Sequence, residues 1–459
     1  MTRLSEFGAA PIHFVGIGGA GMSGLARIAL SHGFTVSGSD SKDSSVLQAL
    51  HALGATTYVG HKAEHAHGAG TVVYSSAVGD HNPEVEYARS NGIRLIARAE
   101  ALAILMSESQ SIAVAGTHGK TTTSSMLTVA LQACGSDPSF AIGGTLMASG
   151  SNAHRGSGRY FVAEADESDG SFIAYHPHAA IITNIEHDHV DYFRTPQEVT
   201  RAFESFVETI SPQGFLVYCL DDDGSRLLGK KTSRSLSYGV TDGADLCIDS
   251  IALHATGSTS RALWKGSVIG ELSLIVPGHH NVLNAAAALA VGLELGLNPS
   301  ELLTGLSRFA GAGRRFELKG SVAGIRVIDD YGHHPTEIAV TLEAARRYAG
   351  DGRVIALFQP HRYSRTQAFV DSFARELDKA DRAIVLEVYA ASEQPIPGVS
   401  SSLITEKMER GEFIPNFLEA AESIIESAKP GDVILTLGAG DVNSLGPIIL
   451  DGLAKRFGQ

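Results

Sequence analysis

Lys120 stands in the most chemically specific stretch of the chain. It follows two glycines set three apart and precedes two hydroxyls, in Gly116-Thr117-His118-Gly119-Lys120-Thr121-Thr122. Glycines let backbone N–H groups close on phosphate oxygens, a lysine here reaches the outer phosphates, and the Thr121 hydroxyl can ligate Mg²⁺. The pattern points to ATP with Mg²⁺. It departs from G-x-x-x-x-G-K-[ST] in one respect: position 114 is Val114, so the match is to the shorter G-x-x-G-K-T loop. Without the rest of the chain, the same residues would also serve as a turn between a buried strand and a helix.

A second glycine run, Gly16-Ile17-Gly18-Gly19-Ala20-Gly21, satisfies G-x-G-x-x-G, and Asp40 closes the next apolar segment near the ~20-residue offset of a ribose-binding acid. Taken alone it reads as the dinucleotide-binding turn of an NAD-dependent dehydrogenase, or as a tight packing turn. Two further stretches concentrate acids and imidazoles: Glu164-Ala165-Asp166-Glu167-Ser168-Asp169, and Glu186-His187-Asp188-His189-Val190-Asp191. Magnesium favours one or two carboxylates with phosphate and water, so both are candidate metal-holding loops, and both could equally be solvated loops. Arg362 and Arg365 lie three apart at a helix start, the spacing of a carboxylate clamp or of two solvated arginines. His280, Asn281 and Asn284 precede an apolar helical pattern and fit either N-terminal caps or amides presented to a purine.

The elements that must position these groups alternate strand and helix. Periodicity predicts strands over 12–15, 34–38, 72–75 and 93–96 with helices over 22–30 and 83–91. A strand over 112–115 enters the lysine loop, a helix follows it, and strands over 160–163 and 179–183 each run into one of the acidic stretches. In an open parallel sheet such strand ends form the ligand-binding edge. Residues 211–275 read as short β segments carrying no chemistry, and a helix is predicted over 285–295. Strands over 325–328, 354–358, 383–388 and 433–437 then alternate with helices over 336–348, 366–379 and 416–428. The fold class is α/β in three domains, each on a mostly parallel sheet: a Rossmann-like domain over 1–108, a P-loop domain over 109–311 and a second Rossmann-like domain over 312–459.

Bulk properties narrow the partners. A formal net charge of −14 over 459 residues argues against a general nucleic-acid or acidic-membrane surface, so anions must be held by local loops. The 50 glycines suit many tight βα turns. Cys134, Cys219 and Cys247 are far apart, odd in number and without metal spacing, which predicts reduced thiols and a cytoplasmic setting. No apolar run is long enough for a membrane span, and oligomeric state stays open.

Together the motifs HFVGIGGAGMSG, AGTHGKTTT, EADESDGSF, TNIEHDHVDYF, PGHHNVLNA, GRRFE, DDYGHHPTEI and FQPHRYSRT resemble the Mur ligases, ATP-dependent amide-bond ligases of peptidoglycan precursor synthesis. The likeness spans essentially the whole chain and is nearest to the members that add L-alanine to UDP-N-acetylmuramate. It implies that Gly16, Gly18, Gly19 and Gly21, with Asp40, Ser75 and Ser76, take the sugar nucleotide rather than NAD. It implies Gly116 to Thr122 on ATP, Thr121, Glu164 and His189 on Mg²⁺, and His280, Asn281 and Asn284 near adenine. Arg315 and Asp330 would contact ATP phosphates or ribose, and Tyr331, His333, His361, Arg362 and Arg365 would receive the amino acid. Several relatives carry a carbamylated lysine downstream of the Asp-His-x-Asp loop. This chain has no lysine between His189 and Lys230. The nearest rival is a recycling ligase adding a tripeptide to the same sugar nucleotide, which resembles Phe-Ala where this chain has Tyr331-Gly332.

Overall fold

The computed structural model describes residues 3–75, 78–79 and 81–458, and within them three sheets form. The first holds β1 (Ile12–Val15), β2 (Val36–Asp40), β3 (Thr56–Val59), β4 (Thr71–Tyr74) and β5 (Arg94–Ala97), all parallel, in the order β3-β2-β1-β4-β5. Strand order reverses between β1 and β4, so a crevice opens beyond their C-terminal ends, where the glycine run and Ser75 emerge.

The second sheet begins with β6 (Gln110–Ala115), β7 (Ser139–Leu146), β8 (Ser151–His154), β9 (Tyr160–Glu164) and β10 (Ala179–Ile182). It continues with β11 (Phe215–Cys219), β12 (Ser235–Gly239), β13 (Leu246–His254), β14 (Gly257–Trp264) and β15 (Ser267–Leu274), in the order β15-β14-β13-β12-β11-β10-β6-β9-β7-β8. The lysine-loop strand β6 lies between β10 and β9, parallel to both. Buried on both faces, it is apolar without alternation from Ile112 to Ala115.

The third sheet comprises β16 (Glu317–Val322), β17 (Ile325–Asp330), β18 (Val354–Phe358), β19 (Arg382–Val385), β20 (Gly411–Phe413) and β21 (Val433–Leu437), in the order β16-β17-β21-β18-β19-β20. Only β16 is antiparallel to its neighbour. Its two faces carry separate hydrophobic cores. The first two units instead share one: Phe14, Leu25 and Leu102 belong to the same buried cluster as Phe161, Phe172 and Phe203.

The structure adds elements that periodicity did not predict, among them the helices Ser45–Ala52, Arg98–Met106, Pro196–Glu208 and Pro299–Ser307 and the strands β3, β7, β8 and β16, and two further stretches differ beside the site. Within 211–275 the structure adds a helix, Asp223–Lys231, started by Asp222, whose carboxylate accepts the Ser225 N–H at 2.7 Å. Its short polar sequence hid it from periodicity, although the N-cap residue was legible. The helix expected over 285–295 starts six residues earlier, as His279–Glu294, with Gly278 as its N-cap and no capping side chain. The capping reading of His280, Asn281 and Asn284 is thereby excluded. No helix among the described residues is long and apolar enough to cross a membrane, and the three cysteines are free thiols.

Candidate active site

The lysine loop leaves β6 through Gly116, at φ +132°, where an added Cβ would stand 2.0 Å from Thr183 Oγ1. It enters the helix Lys120–Ala133 through Gly119, left-handed at φ +82°. Both conformations require glycine. Two loop amides are already committed: Thr117 N–H donates to the Asn184 carbonyl at 3.0 Å and His118 N–H to Asn184 Oδ1 at 2.8 Å. The first amides of the helix, which lack intrahelical acceptors, remain for an anion. Lys120 Nζ folds back onto the carbonyls of Gly116 (2.8 Å) and Thr117 (3.1 Å) and onto Glu167 Oε1 (3.1 Å). Burial opposes its charge, but Glu167, Asp166 and Glu164 outweigh burial and hold its pKa above the ordinary lysine value.

The residues expected on Mg²⁺ divide into two groups. Thr121 Oγ1 donates to Glu164 Oε1 at 3.2 Å, while Glu164 Oε2 accepts Gly143 N–H at 2.7 Å. His189 instead faces Glu167 Oε1 at 3.5 Å, and ligand atoms of Asp166, Glu167 and His189 all lie within 4.8 Å of one another. A hydroxyl, carboxylates and one imidazole form a hard donor set that fits Mg²⁺ beside nucleotide phosphates. Spacing had not singled out Asp166 and Glu167 from their acidic run. His187 turns away, its ring nitrogen 3.0 Å from the Phe193 carbonyl.

A seam of polar pairs joins the central and C-terminal units around this loop. His118 lies between Glu186 Oε2 (2.9 Å) and Glu337 Oε1 (3.2 Å), and the Thr336 hydroxyl donates to Glu186 at 2.8 Å. Burial would lower the His118 pKa, but the two carboxylates raise it to about 9. Glu337 also completes a capping box with His334 at the start of the helix Pro335–Ala349. Arg365 is buried, with its Nε 2.9 Å from Asp188 Oδ1 and its Nη1 3.3 Å from His361 Nδ1. Arg362, at φ +72°, pairs with Asp191. Both arginines of the expected clamp thus hold aspartates of the loop after β10.

Tyr331, His333 and His361 gather beside them. The rings of Tyr331 and His333 are 5.3 Å apart, those of His333 and His361 5.9 Å. Burial lowers the His333 pKa to about 3; burial and then the neighbouring His333, Arg365 and Arg362 lower that of His361 to about 2. Both rings are neutral at pH 7.

A cavity of about 540 Å³ opens on the other side of the loop, lined by His118, Gly119 and Thr122 together with His280, Asn281 and Asn284 and, from the C-terminal unit, Arg315 and Asp330. That volume suits a nucleoside. Asn284 Nδ2 donates to Asn281 Oδ1 (3.3 Å) and Asn281 Nδ2 to the Pro277 carbonyl (2.7 Å). Burial, then His279 and Arg315, lowers the His280 pKa to about 4. Arg315 reaches Thr121 Oγ1 at 3.5 Å and lies over the Tyr331 ring, 4.9 Å from its centroid. Asp330 accepts Phe316 N–H, Gly332 N–H and the Thr341 hydroxyl, so it braces the Arg315 loop as well as lining the cavity.

A second cavity, about 320 Å³, lies between the first two units and is lined by Gly16, Gly19, Gly21, Ser75, Arg98 and Glu164, among others. Gly18 is absent from its wall. Its N–H donates to Asp40 Oδ2 at 3.0 Å, so Asp40 buttresses the glycine loop. Ser76 lies outside the described residues. Arg98 was not foreseen; the one signal was a basic residue directly after an apolar strand.

Three family models cover most of the chain. Residues 11–110 match the Mur ligase family, catalytic domain; 114–292 the Mur ligase middle domain; and 314–440 the Mur ligase, glutamate ligase domain. The chain is 49% identical to a UDP-N-acetylmuramate–L-alanine ligase of Renibacterium salmoninarum, over 99% of this chain and 97% of that one. It is 48% identical to the enzyme of the same name from Paenarthrobacter aurescens, over 96% and 97%. In three dimensions it is similar to the UDP-N-acetylmuramate-alanine ligase of Thermotoga maritima (TM-score 0.83, 29% identity, 98% of this chain and 100% of that one). It is also similar to a murein peptide ligase from Psychrobacter arcticus (TM-score 0.73, 27% identity, 97% and 98%). With its three α/β units and full-length identity to these enzymes, the chain belongs to the Mur ligase family of ATP-dependent amide-bond-forming ligases.

Proposed function

We propose that the chain joins L-alanine to the lactyl carboxylate of UDP-N-acetylmuramate, converting ATP to ADP and phosphate. The observation that carries this reading is 49% identity, across 99% of the chain, to a ligase of that name. In this reading residues 1–108 take the sugar nucleotide, 109–311 take ATP, and 312–459 close on ATP and take the amino acid.

A carboxylate is a poor acyl electrophile. It must be activated, and attack of its oxygen on the γ-phosphoryl group gives an acyl phosphate from which phosphate can leave. Lys120, beside the amides of its helix, offsets the charge of two anions brought together. Mg²⁺, held by Thr121 and Glu164 and by the Asp166, Glu167 and His189 group, would supply further neutralisation of the phosphates. Asn281, Asn284 and His280 face the nucleoside end, with Arg315 and Asp330 on the phosphate or ribose side.

Arg362 and Arg365 take the alanine carboxylate by exchanging it for Asp191 and Asp188, bonds that form the seam between units. Because His333 and His361 are neutral and weakly basic, they accept hydrogen bonds from the ammonium group and orient it rather than keep its proton. Joining of the central and C-terminal units excludes water from the acyl phosphate.

Phosphate release with UDP-N-acetylmuramate, measured against a panel of amino acids and the L-alanine-headed tripeptide, tests the reading. L-Alanine should support release and the tripeptide should not. The reverse would assign the chain to tripeptide recycling, despite Tyr331-Gly332. Calorimetry should show UDP-N-acetylmuramate binding and no heat with NAD⁺ or NADP⁺.

A further inference from the structure

Arg98 opens the helix Arg98–Met106, directly after β5, and lines the 320 Å³ cavity between the first two units. Its surroundings differ from those of every other arginine in the active site. Arg314, Arg362 and Arg365 each hold a carboxylate, and Arg315 reaches a hydroxyl. Arg98 makes no hydrogen bond or ion pair to any described residue. Burial works against its charge, but Tyr175, Asp166, Asp169 and Glu164, none of them hydrogen-bonded to it, outweigh burial and hold its pKa above the ordinary arginine value. A cavity-facing guanidinium with no hydrogen-bond partner keeps its donors free for an anion.

Its place within the cavity identifies which anion. A Cβ added at Gly21 would stand 3.2 Å from Arg98 Cδ and 3.3 Å from Nη1, so the guanidinium lies directly on the glycine run. Gly21 has an ordinary φ, and its need for glycine is this close approach. The helix Ala20–Ser31 that begins there has no capping side chain and no acid in its first turn. Glu164 and Asp166 line the same cavity, and their charges would repel a polyanion entering it.

We infer that Arg98 binds the diphosphate of the sugar nucleotide, bridging it to the glycine run and shielding it from Glu164 and Asp166. The inference rests on the reading of the glycine run as a sugar-nucleotide site.

Calorimetry with UDP, UDP-N-acetylmuramate and uridine, the last by competition, tests the assignment. Arg98→Gln should weaken UDP and UDP-N-acetylmuramate by roughly 10- to 100-fold, the range for a lost charge-assisted hydrogen bond. Uridine and ATP binding should stay as in wild type. As a single variant Gly21→Ala, which pushes the guanidinium aside, should weaken UDP and UDP-N-acetylmuramate together, and it should add little in the Arg98→Gln background. Equal loss of uridine and UDP would make Arg98 structural and overturn the assignment. Loss for UDP-N-acetylmuramate without loss for UDP would place Arg98 on the carboxylate and overturn it too. Absence of uridine-nucleotide binding in wild type would overturn the sugar-nucleotide reading itself, whereas wild-type binding with an indifferent Arg98→Gln overturns only the role of Arg98.

Discussion

Helices Ala20–Ser31 and Arg98–Met106 meet the central unit through side chains that extend its hydrophobic core, whereas the C-terminal unit meets it through His118, Glu186, Glu337, Asp188 and Arg365. The apolar contact has no alternative partner that would compensate for exposing it. The polar one does, because a ligand phosphate or carboxylate can take the place of the acidic partner of a buried cation such as Arg365 and keep its charge paired. The difference teaches where exchange is built in: the glycine-run cavity sits between units that share an apolar core, and the lysine loop and the arginine pair sit along a seam of polar pairs.

The largest expected effect lies on the central side of that seam. Lys120→Ala should cut ATP-dependent phosphate release by on the order of 10² to 10³, about 3 kcal/mol or more of transition-state stabilisation, with the fold retained. Turnover near wild type would remove the lysine loop from the chemistry.

Leu102→Ala probes the apolar contact. Leu102 is buried in the shared core and also lines the second cavity, so truncation should cost about 2–5 kcal/mol in chemical denaturation. The first two units should still unfold in one transition. Separate unfolding of residues 1–108 in this variant or the parent would contradict a common core.

Arg365→Lys should raise the apparent KM for L-alanine roughly 10-fold, about 1.4 kcal/mol, because lysine cannot reproduce the guanidinium fork. KM values for ATP and the sugar nucleotide should move little. Hydroxylamine, which needs no carboxylate clamp, should still trap the acyl phosphate. If ATP and L-alanine weaken together, or hydroxamate vanishes with ligation, Arg365 serves only the seam.

The smallest effect is a pH slope. With its pKa raised to about 9, His118 contributes stability that is fully present below its unfolded value of 6.5 and is lost as pH rises through about 9. The melting temperature should therefore fall more steeply from pH 7 to 9.5 in the parent than in His118→Gln. Parallel curves would show that the Glu186 and Glu337 contacts are not an ion-paired latch.

Local rules account for what was readable in advance. Gly116 and Gly119 take backbone conformations that only glycine tolerates, and an apolar strand followed by such a loop and a helix is written in consecutive residues. The same holds at Gly16 to Gly21, at Asp40 and at the strand ends bearing Glu164 and Asp330. Full-length order of these motifs carried the family, and the family carried the roles. The short polar helix Asp223–Lys231 escaped because it lacks a strong apolar face.

Partnerships between distant residues were not readable, because no local rule relates positions more than a turn or two apart. Arg362 and Arg365 announced a pair of cations, but their aspartate partners lie 171 and 177 residues away. His189 was grouped with Glu164 by motif and with Glu167 by folding. His118 was placed with the rest of its loop on ATP, and its pairing with Glu337, 219 residues on, shows only in the fold. Arg98 is the plainest case: in sequence it is a basic residue directly after an apolar strand. Only the packing of two units makes it a cavity-lining cation without a partner, since burial and charge pairing are properties of the assembled surfaces.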